Sequence, residues 1–243
     1  RSSSPILSDS DYEWMNDTQM ANIISLEPAG STTVSSPFDS RGALGPQFFR
    51  RPAVAAALSD TLSPRSFVQP FSQNAHWHTL LFAPREKTLY YFEAYGGKLP
   101  SRHPIALAFS QAHSDWELIS VRVAVQSDQD GANCGPLLCI AIRQFMRYVA
   151  SDTYGSKSFA SVLEDYFDSK GVSNLDKFSG AARLAAGRAN LAWALEARLS
   201  MRLQLARAAR ESALSWDEGL EPAARAPQQG GVVIRLDDDP DDD

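Results

Sequence analysis

The two cysteines are the residues of this chain with the most distinctive chemistry. Cys134 and Cys139 stand five positions apart, the first at the start of an apolar run and the second within it. A thiol acts as a nucleophile through its thiolate, which the positive end of a helix dipole and a neighbouring imidazole both stabilise. Cys134 follows a polar loop and opens the apolar run, so it is placed for nucleophilic catalysis. Free cysteines are most often simply buried, and residue type alone does not separate the two interpretations.

Several predicted elements would hold such a nucleophile in place. The β-rich runs 77–82 and 88–93, separated by a short turn with a proline, predict a hairpin. A third strand is predicted over 116–125, and a polar loop follows it. From Cys134 the apolar pattern continues without a breaker up to Ser151, which predicts a long and largely buried helix.

The N-terminal part of the chain is less clear. Residues 1–10 are rich in Ser and Asp and predict a flexible segment, and a globular body is assigned to 11–175. Tyr12 to Ile24 has apolar residues at helical spacing and predicts a short helix. Residues 28–70 are rich in Ser, Gly and Pro, and an Ala-rich piece within them, 53–58, is compatible with one or two short helices.

The C-terminal part changes composition twice. Residues 176–221 are rich in Ala, Leu and Arg and predict a helical extension. Its leucines recur four apart, which predicts that a leucine face packs on the body, and a partner-binding role for the helix stays open; these leucines are Leu191, Leu195, Leu199 and Leu203. Residues 222–243 predict a flexible acidic tail.

Composition indicates one soluble domain. The chain has 243 residues, of which 44% are hydrophobic, enough for one sizeable core. No segment approaches the roughly 20 apolar residues of a membrane helix, and Arg1–Ser4 lacks the apolar core of a secretory signal. Two cysteines in one apolar run favour neither a disulfide framework nor a zinc site, and we expect no metal or other cofactor. An intracellular location, in the cytoplasm or nucleus, is expected, or a host cell if the chain is a secreted bacterial effector.

The net charge of −6 is concentrated at the C-terminus. Six of the 29 acidic residues are aspartates within 237–243, and the remaining 23 balance the 23 basic residues. The body is thus neutral and has no strongly basic footprint for nucleic acid. A charge-driven partner is expected at the tail.

Four separate segments carry motifs of one protease family. They are Trp14-Met15-Asn16-Asp17, then His76-Trp77, then Glu93 at 17 positions after His76, and lastly Gln126 followed by Asp130-Gly131-Ala132-Asn133-Cys134-Gly135. In this order and spacing they resemble the catalytic domain of the ubiquitin-like-protein-specific cysteine proteases, which include SUMO proteases, deneddylases and some bacterial deubiquitinases. The resemblance spans about residues 10–150, well over half of the chain.

The resemblance implies a fold and a set of roles. The fold would be α+β and papain-like, with a central helix carrying Cys134 packed on a mixed sheet carrying His76 and Glu93. His76 would take the thiol proton and later protonate the leaving amine, while Glu93 would fix its tautomer. The side chain of Gln126 and the backbone N–H of Cys134 would stabilise the oxyanion.

Two departures from the family pattern leave alternatives open. Glu93 stands where the family more often has Asp, although the related adenoviral maturation proteases use Glu there. Gln126 lies eight residues before Cys134, about two more than is usual, so Gln129 stays a second candidate for the oxyanion amide. His78 lies on the same strand face as His76 and is the alternative base.

The resemblance also implies a substrate. The tryptophans of the family's first two motifs close over a Gly-Gly tail and exclude side chains, and Trp14 and Trp77 match them, with Asp17 in the same motif. Both tryptophans could instead be ordinary core residues. Such a tunnel would select ubiquitin or one of its relatives.

The tail contains a second recognition motif. Val232 to Leu236, an apolar strand-like run, is followed by three aspartates, which fits the pattern of a SUMO-interacting motif, with Val233, Ile234 and Leu236 as its anchors. Such a segment adds a strand to an exposed sheet edge of its partner. The alternative is a strand of the chain's own sheet.

These features predict a thiol protease, most simply a monomer, that cleaves after the Gly-Gly of a ubiquitin-like protein, with SUMO and its conjugates as the expected partners. A deubiquitinase or deneddylase of the same fold is an alternative. Another is an effector acetyltransferase of the Yop type, which uses the same His-Glu-Cys arrangement. The intact triad argues against a catalytically silent binding protein.

Overall fold

A computed structural model describes residues 15–27, 32–35, 38–39, 49, 54–55, 65–152, 154–217 and 233–234. In these ranges one mixed sheet of seven strands forms, in the order β6-β5-β4-β3-β1-β7, with β2 beside β3. The strands are β1 Thr32–Ser35, β2 Phe38–Asp39, β3 Ser66–Gln73, β4 His76–Ala83, β5 Thr88–Glu93, β6 Glu117–Ser120 and β7 Val233–Ile234.

Two antiparallel hairpins form the centre of the sheet. The β3–β4 turn places Asn74 and Ala75 at positive φ, 52° and 55°, a backbone that matches the twist of the paired strands. The predicted β4–β5 hairpin is confirmed, and its register sets His78 opposite Glu93. The start of β4, with His76, and the end of β5, with Glu93, therefore lie side by side at the same end of the two strands.

Five helices are described in full within these ranges: α1 Asp17–Ser25, α2 Pro104–Ala112, α3 Cys134–Val149, α4 Phe159–Ser169 and α5 Gly180–Asp217. Short 3₁₀ turns occupy Pro84–Glu86 and Leu175–Lys177. Helix α1 begins at Asp17 because Asn16 and Gln19 form a reciprocal capping box, each side chain accepting from the other's backbone N–H. None of the helices in the described ranges is both long enough and apolar enough to cross a membrane.

The two faces of the sheet have separate cores, because successive strand residues point to opposite sides. On one face, Leu81 and Phe92 pack in the cluster that contains Leu138 and Phe145 of α3. On the other face, sheet aromatics such as Phe82 pack with α2. The predicted α+β fold, with the Cys134 helix packed on the sheet that carries His76 and Glu93, is confirmed.

Some predicted boundaries differ from the structure. The third strand has regular pairing only to Ser120, although Val121 and Val125 still donate backbone hydrogen bonds, 2.8 Å and 2.9 Å, to the carbonyls of Tyr91 within β5 and Ala94 just after it. Of the Ala-rich piece, only Val54 and Ala55 lie in the described residues, and both are helical.

The predicted leucine face of the C-terminal helix is wrong for its outer half. Leu199 and Leu203 are 42% and 60% exposed. The face of α5 that is buried against the body instead carries small, polar and charged residues together with one methionine, namely Gly187, Asn190, Ala194, Arg198 and Met201. Polar contacts rather than leucines therefore attach much of this helix to the body.

The acidic tail contributes two residues to the sheet. Val233 and Ile234 pair in parallel with Val34 and Ser35 of β1. Leu236, the third predicted anchor, lies outside the described residues.

Candidate active site

Cys134 is the first residue of α3 and is only 2% exposed. The loop before it is organised by Asp130, which is 3% exposed. One carboxylate oxygen of Asp130 accepts from the backbone N–H groups of Ala132 and Asn133 and from the Asn133 amide, at 2.9–3.1 Å. The thiol thus lies at the positive end of a helix whose entry is fixed by hydrogen bonds.

His76 is bonded to Glu93 and lies close to Cys134. Its Nε2 lies 2.9 Å from Oε2 of Glu93, and the Cys134 side chain is near enough to raise the pKa of His76. Because Nε2 faces the carboxylate, Nδ1 is the ring atom left for the thiol. Burial tends to lower the pKa of His76, but the hydrogen bonds and charges of Cys134 and Glu93 outweigh it and raise the pKa from 6.5 to about 9.

Glu93 is buried, with 5% of its surface exposed, and is saturated with donors. Its carboxylate accepts from the backbone N–H of Tyr95 at 2.9 Å and from that of Gly97, in addition to His76. Burial acts to raise the pKa of Glu93, but the bonds from His76, Tyr95 and Gly97 prevail and lower it. A Cβ on Gly97 would meet Oε1 of Glu93, so a glycine suits this close approach.

The alternative base, His78, has its ring nitrogens engaged elsewhere. Nδ1 lies 2.7 Å from the Tyr91 hydroxyl and Nε2 lies 3.4 Å from the Gln73 carbonyl. Burial and the charge of His76 lower the pKa of His78 to about 4. His78 is therefore neutral at neutral pH, and its geometry favours a supporting position beside His76, with ring centroids 5.0 Å apart.

The two candidate oxyanion amides differ in environment. Gln126 is 1% exposed, and its Nε2 donates to the Asp130 carbonyl at 2.6 Å. Gln129 is exposed. The Gln126 Oε1 has no hydrogen-bond partner within the described part of the chain. Gln126 is buried at the start of the loop that leads to Cys134, and this position favours it over Gln129 as the oxyanion amide.

Met15 and Trp77 pack on Gly135, the residue that follows the nucleophile. Trp77 is 3% exposed, and its indole N–H donates to the Met15 carbonyl at 3.1 Å. A Cβ on Gly135 would lie 2.9 Å from the Met15 Cβ and 3.4 Å from the Trp77 ring. Trp14 lies outside the described residues, as does the side chain of Asp17.

The second thiol is unsuited to catalysis. Cys139 is fully buried, and burial raises its pKa to about 12. Its Sγ donates a hydrogen bond to the Met15 sulfur at 3.8 Å. A thiol in this environment stays protonated and unreactive.

Three residues near the site were not identified from the sequence. The ring of Tyr95 stacks on His76, with centroids 4.9 Å apart and planes at 24°, and its hydroxyl donates to the Asp130 carbonyl at 3.0 Å. Asn190 and Arg198 of α5 donate to carbonyls at the two ends of the loop before Cys134. Only Tyr95 carried a sequence signal, since it follows Glu93 by two positions.

Chemically, the site combines a thiol, a positively charged imidazole and a buried carboxylate, an arrangement suited to acyl transfer through a thioester. In the described ranges, no group of three or more His, Cys, Asp or Glu side chains is placed to hold a metal ion.

No protein-family model matches the chain, and no curated protein sequence matches it significantly.

Several solved structures are similar to the chain in fold. The Ulp1-like SUMO protease catalytic domain of Chaetomium thermophilum has a TM-score of 0.40 at 13% identity, covering 63% of this chain and 69% of its own. A structure described as the de-sumoylating protease has a TM-score of 0.46 at 14% identity, covering 88% and 91%. The C-terminal Ulp1 protease domain in complex with Smt3, the yeast ortholog of SUMO, has a TM-score of 0.38 at 15% identity, covering 80% and 79%. Because these identities and TM-scores are low, the roles of individual residues in this chain are argued only from the geometry of its own site.

Proposed function

We propose that this chain is a cysteine protease that cleaves after the Gly-Gly terminus of a ubiquitin-like modifier. The observation that carries the proposal is the position of His76, which is bonded to Glu93 at 2.9 Å and lies close enough to Cys134 for that side chain to raise its pKa. With a pKa of about 9, His76 is protonated at neutral pH. This is the state that stabilises a thiolate and can donate a proton to a leaving amine.

In the acylation step, Cys134 Sγ attacks the carbonyl carbon of the terminal glycine. As the C–S bond forms, the carbonyl π electrons move to the oxygen. The backbone N–H of Cys134 faces it from the first turn of α3, where helix N–H groups have no intrahelical acceptor. One amide hydrogen of Gln126 is used by Asp130, and the second is the other donor that we assign. Each donor of this kind contributes about 3 kcal/mol to the transition state.

The intermediate then collapses to a thioester. The C–N bond breaks, and the leaving nitrogen takes the proton from Nδ1 of His76. Water next attacks the thioester and gives a proton to His76, and the thiolate of Cys134 is released. Glu93 holds the same Nε2 through both steps and stabilises the imidazolium whenever it forms.

The access to Cys134 supports a substrate with no side chains near the scissile bond. The thiol is 2% exposed, and Met15 and Trp77 pack directly on Gly135 beside it. A thin extended backbone such as Gly-Gly can reach a nucleophile so enclosed, whereas larger side chains would meet these walls. Trp14 and Asp17 are proposed to extend the same channel.

The tail motif is the feature that favours SUMO among such modifiers. Its apolar run precedes three aspartates, the pattern of a segment that binds by adding a strand to its partner. Val233 and Ile234 already pair along one side with β1. A bound modifier must therefore use the other side of this strand or displace it from β1.

Covalent capture tests the catalytic proposal. SUMO and ubiquitin probes with a C-terminal electrophile should label the wild-type chain but not Cys134→Ala, and Cys139→Ser should be labelled as the wild type is. Preferential labelling by ubiquitin would replace SUMO with a deubiquitinase assignment. If neither probe reacts and acetyl-CoA instead loads the thiol, the protease proposal is wrong and the acetyltransferase alternative is correct.

A binding titration tests the tail. Replacing Val233, Ile234 and Leu236 by Ala should weaken SUMO binding in a Cys134→Ala background, where no cleavage occurs. Hydrolysis of a small C-terminal dye substrate, which needs only the channel, should be nearly unchanged. Neutralising the three following aspartates should weaken binding less, and mainly at low salt, because exposed charges are screened. Equal or absent binding of SUMO and ubiquitin to the isolated 226–243 peptide would remove the SUMO assignment.

A further inference from the structure

The buried face of α5 lies against the loop that leads into the nucleophile. Arg198 is 3% exposed, and its Nη2 donates to the Ala132 carbonyl at 3.1 Å. Ala132 stands two residues before Cys134, and its N–H is already bound by Asp130 at 3.1 Å. Both peptide groups of Ala132 are thus fixed, one from within the loop and one from a helix more than sixty residues away in sequence.

Asn190 holds the other end of the same loop. It is 1% exposed, and its Nδ2 donates to the Val125 carbonyl at 3.0 Å and to the Ser173 carbonyl at 2.7 Å. Its Oδ1 accepts from the Ser173 N–H at 2.9 Å. Val125 directly precedes Gln126, so this contact fixes the backbone that carries the assigned oxyanion amide.

About one turn before Asn190, the helix approaches the loop closely. A Cβ on Gly187 would lie 3.0 Å from the Ser127 hydroxyl oxygen, so a glycine allows α5 to pack here. Eight residues of helix separate Asn190 from Arg198, a rise of about 12 Å. One rigid helix therefore spans the irregular segment from Val125 to Ala132 and contacts it at both ends.

We propose that Arg198 is a positioning residue for catalysis, and that α5 is part of the catalytic centre rather than an appendage. The inference rests on the proposed function, because it concerns the oxyanion donors of that reaction. Irregular backbone has no ladder of its own to fix donor positions, and preorganised donors are what stabilise the transition state. A charged guanidinium makes a stronger hydrogen bond to a carbonyl than a neutral donor does. Arg198 thus holds the loop without touching the substrate.

The variant Arg198→Met tests this role, because Met fills similar volume without a donor. It should lower kcat for a Gly-Gly dye substrate roughly 10- to 100-fold, since a misplacement of about 1 Å has effects of that size. KM should stay within about two-fold, because the oxyanion donors act in the transition state and not in substrate binding. Alkylation of Cys134 by iodoacetamide, which uses no oxyanion donor, should be unchanged. Arg198→Lys should restore part of kcat.

Two matched variants separate positioning from general damage. Arg188→Met makes the same change at an exposed site of α5 and should leave every measurement unchanged. Met201→Ala removes a buried side chain from the same face and should lower Tm without a comparable loss of kcat well below Tm. Equal losses of kcat in Met201→Ala and Arg198→Met at equal loss of Tm would overturn the inference.

Amide hydrogen exchange provides a readout that does not depend on the substrate. In Arg198→Met, exchange of residues 126–133 should accelerate relative to wild type, while α3 beyond its first turn stays protected. A wild-type chain that hydrolyses no Gly-Gly substrate refutes the proposed function, and the exchange measurement then decides the role of Arg198 by itself. Unchanged loop exchange in Arg198→Met overturns the inference in either case.

Discussion

Replacing Glu93 by Gln should remove charge from the site while keeping its shape. The carboxylate accepts from His76 and from the backbone N–H groups of Tyr95 and Gly97, and it is 5% exposed. A glutamine offers one acceptor oxygen, so its NH₂ group must face a donor that the carboxylate had satisfied. The variant therefore loses the charge that holds the proton on His76 and gains a buried donor–donor contact.

The size of the effect follows from the pKa of His76. A rise from 6.5 to about 9 corresponds to roughly 3 kcal/mol in favour of the protonated ring, after burial has opposed it. Cys134 and Glu93 both contribute to this preference through hydrogen bonds and charge. Glu93→Gln removes the Glu93 share of this preference, so it lowers the pKa of His76 and costs the protonated ring on the order of 1 kcal/mol.

The pH dependence of kcat/KM should shift in a defined direction. Because the pKa of His76 is raised from 6.5 to about 9 in the folded chain, the ring stays protonated through neutral pH and loses its proton as the pH rises through about 9. The alkaline limb of kcat/KM, which reports the free enzyme, should therefore lie near 9 in the wild type and move to lower pH in Glu93→Gln.

Iodoacetamide alkylation at pH 7 should be slower in Glu93→Gln than in the wild type, because the imidazolium beside the thiol loses its carboxylate partner. Glu93→Asp keeps the charge and should lie between wild type and Glu93→Gln. An unchanged alkaline limb in Glu93→Gln, together with an unchanged alkylation rate, would show that Glu93 does not support the charge of His76.

Three further variants test the rest of the site. Cys134→Ser should abolish cleavage with the fold intact, whereas Cys139→Ser should keep at least half of the activity, as measured by dye hydrolysis and Tm; an essential Cys139 would contradict the assignment. His76→Ala should be as damaging as loss of the thiol, while His78→Ala should be milder, and an active His76→Ala beside an inactive His78→Ala would move the base to His78. Gly135→Ala should destabilise the fold by about 1–3 kcal/mol through overpacking, and so lower Tm, because its Cβ would lie 2.9 Å from the Met15 Cβ. It should also reduce labelling by the probes. Wild-type labelling of this variant would mean that Met15 and Trp77 do not restrict access to Cys134.

The elements around the nucleophile were predictable because their patterns are local. The apolar run from Cys134 and the β-rich runs before Glu93 contain no breakers, and the structure forms α3, β4 and β5 from them. The strand Ser66–Gln73 was not predicted because Pro70 and the Gly- and Pro-rich region before it favour a loop. Pro70 is tolerated here although a proline lacks the N–H that a central strand normally donates.

The sequence predicted that helix α5 exists, but not which of its faces packs on the body. Leucines four apart predict the packing face by hydrophobicity, yet the body offers this helix carbonyl groups at Val125, Ala132 and Ser173. Buried carbonyls need donors, and Asn190 and Arg198 supply them. Only the folded loop shows that the packing face of α5 needs polar side chains. The leucine periodicity alone therefore predicted the wrong packing face.

The same reasoning explains why Tyr95 joins the site without a motif of its own. Its position after Glu93 is set by the strand end, but its function depends on the loop before Cys134, 35 residues away at Asp130. Stacked on His76 and bonded to the Asp130 carbonyl, which also accepts from Gln126, it connects the base to the oxyanion loop. The charge of His76 and the position of the oxyanion donors are therefore set by one hydrogen-bonded assembly, so a change at Tyr95 should affect both proton transfer and transition-state binding.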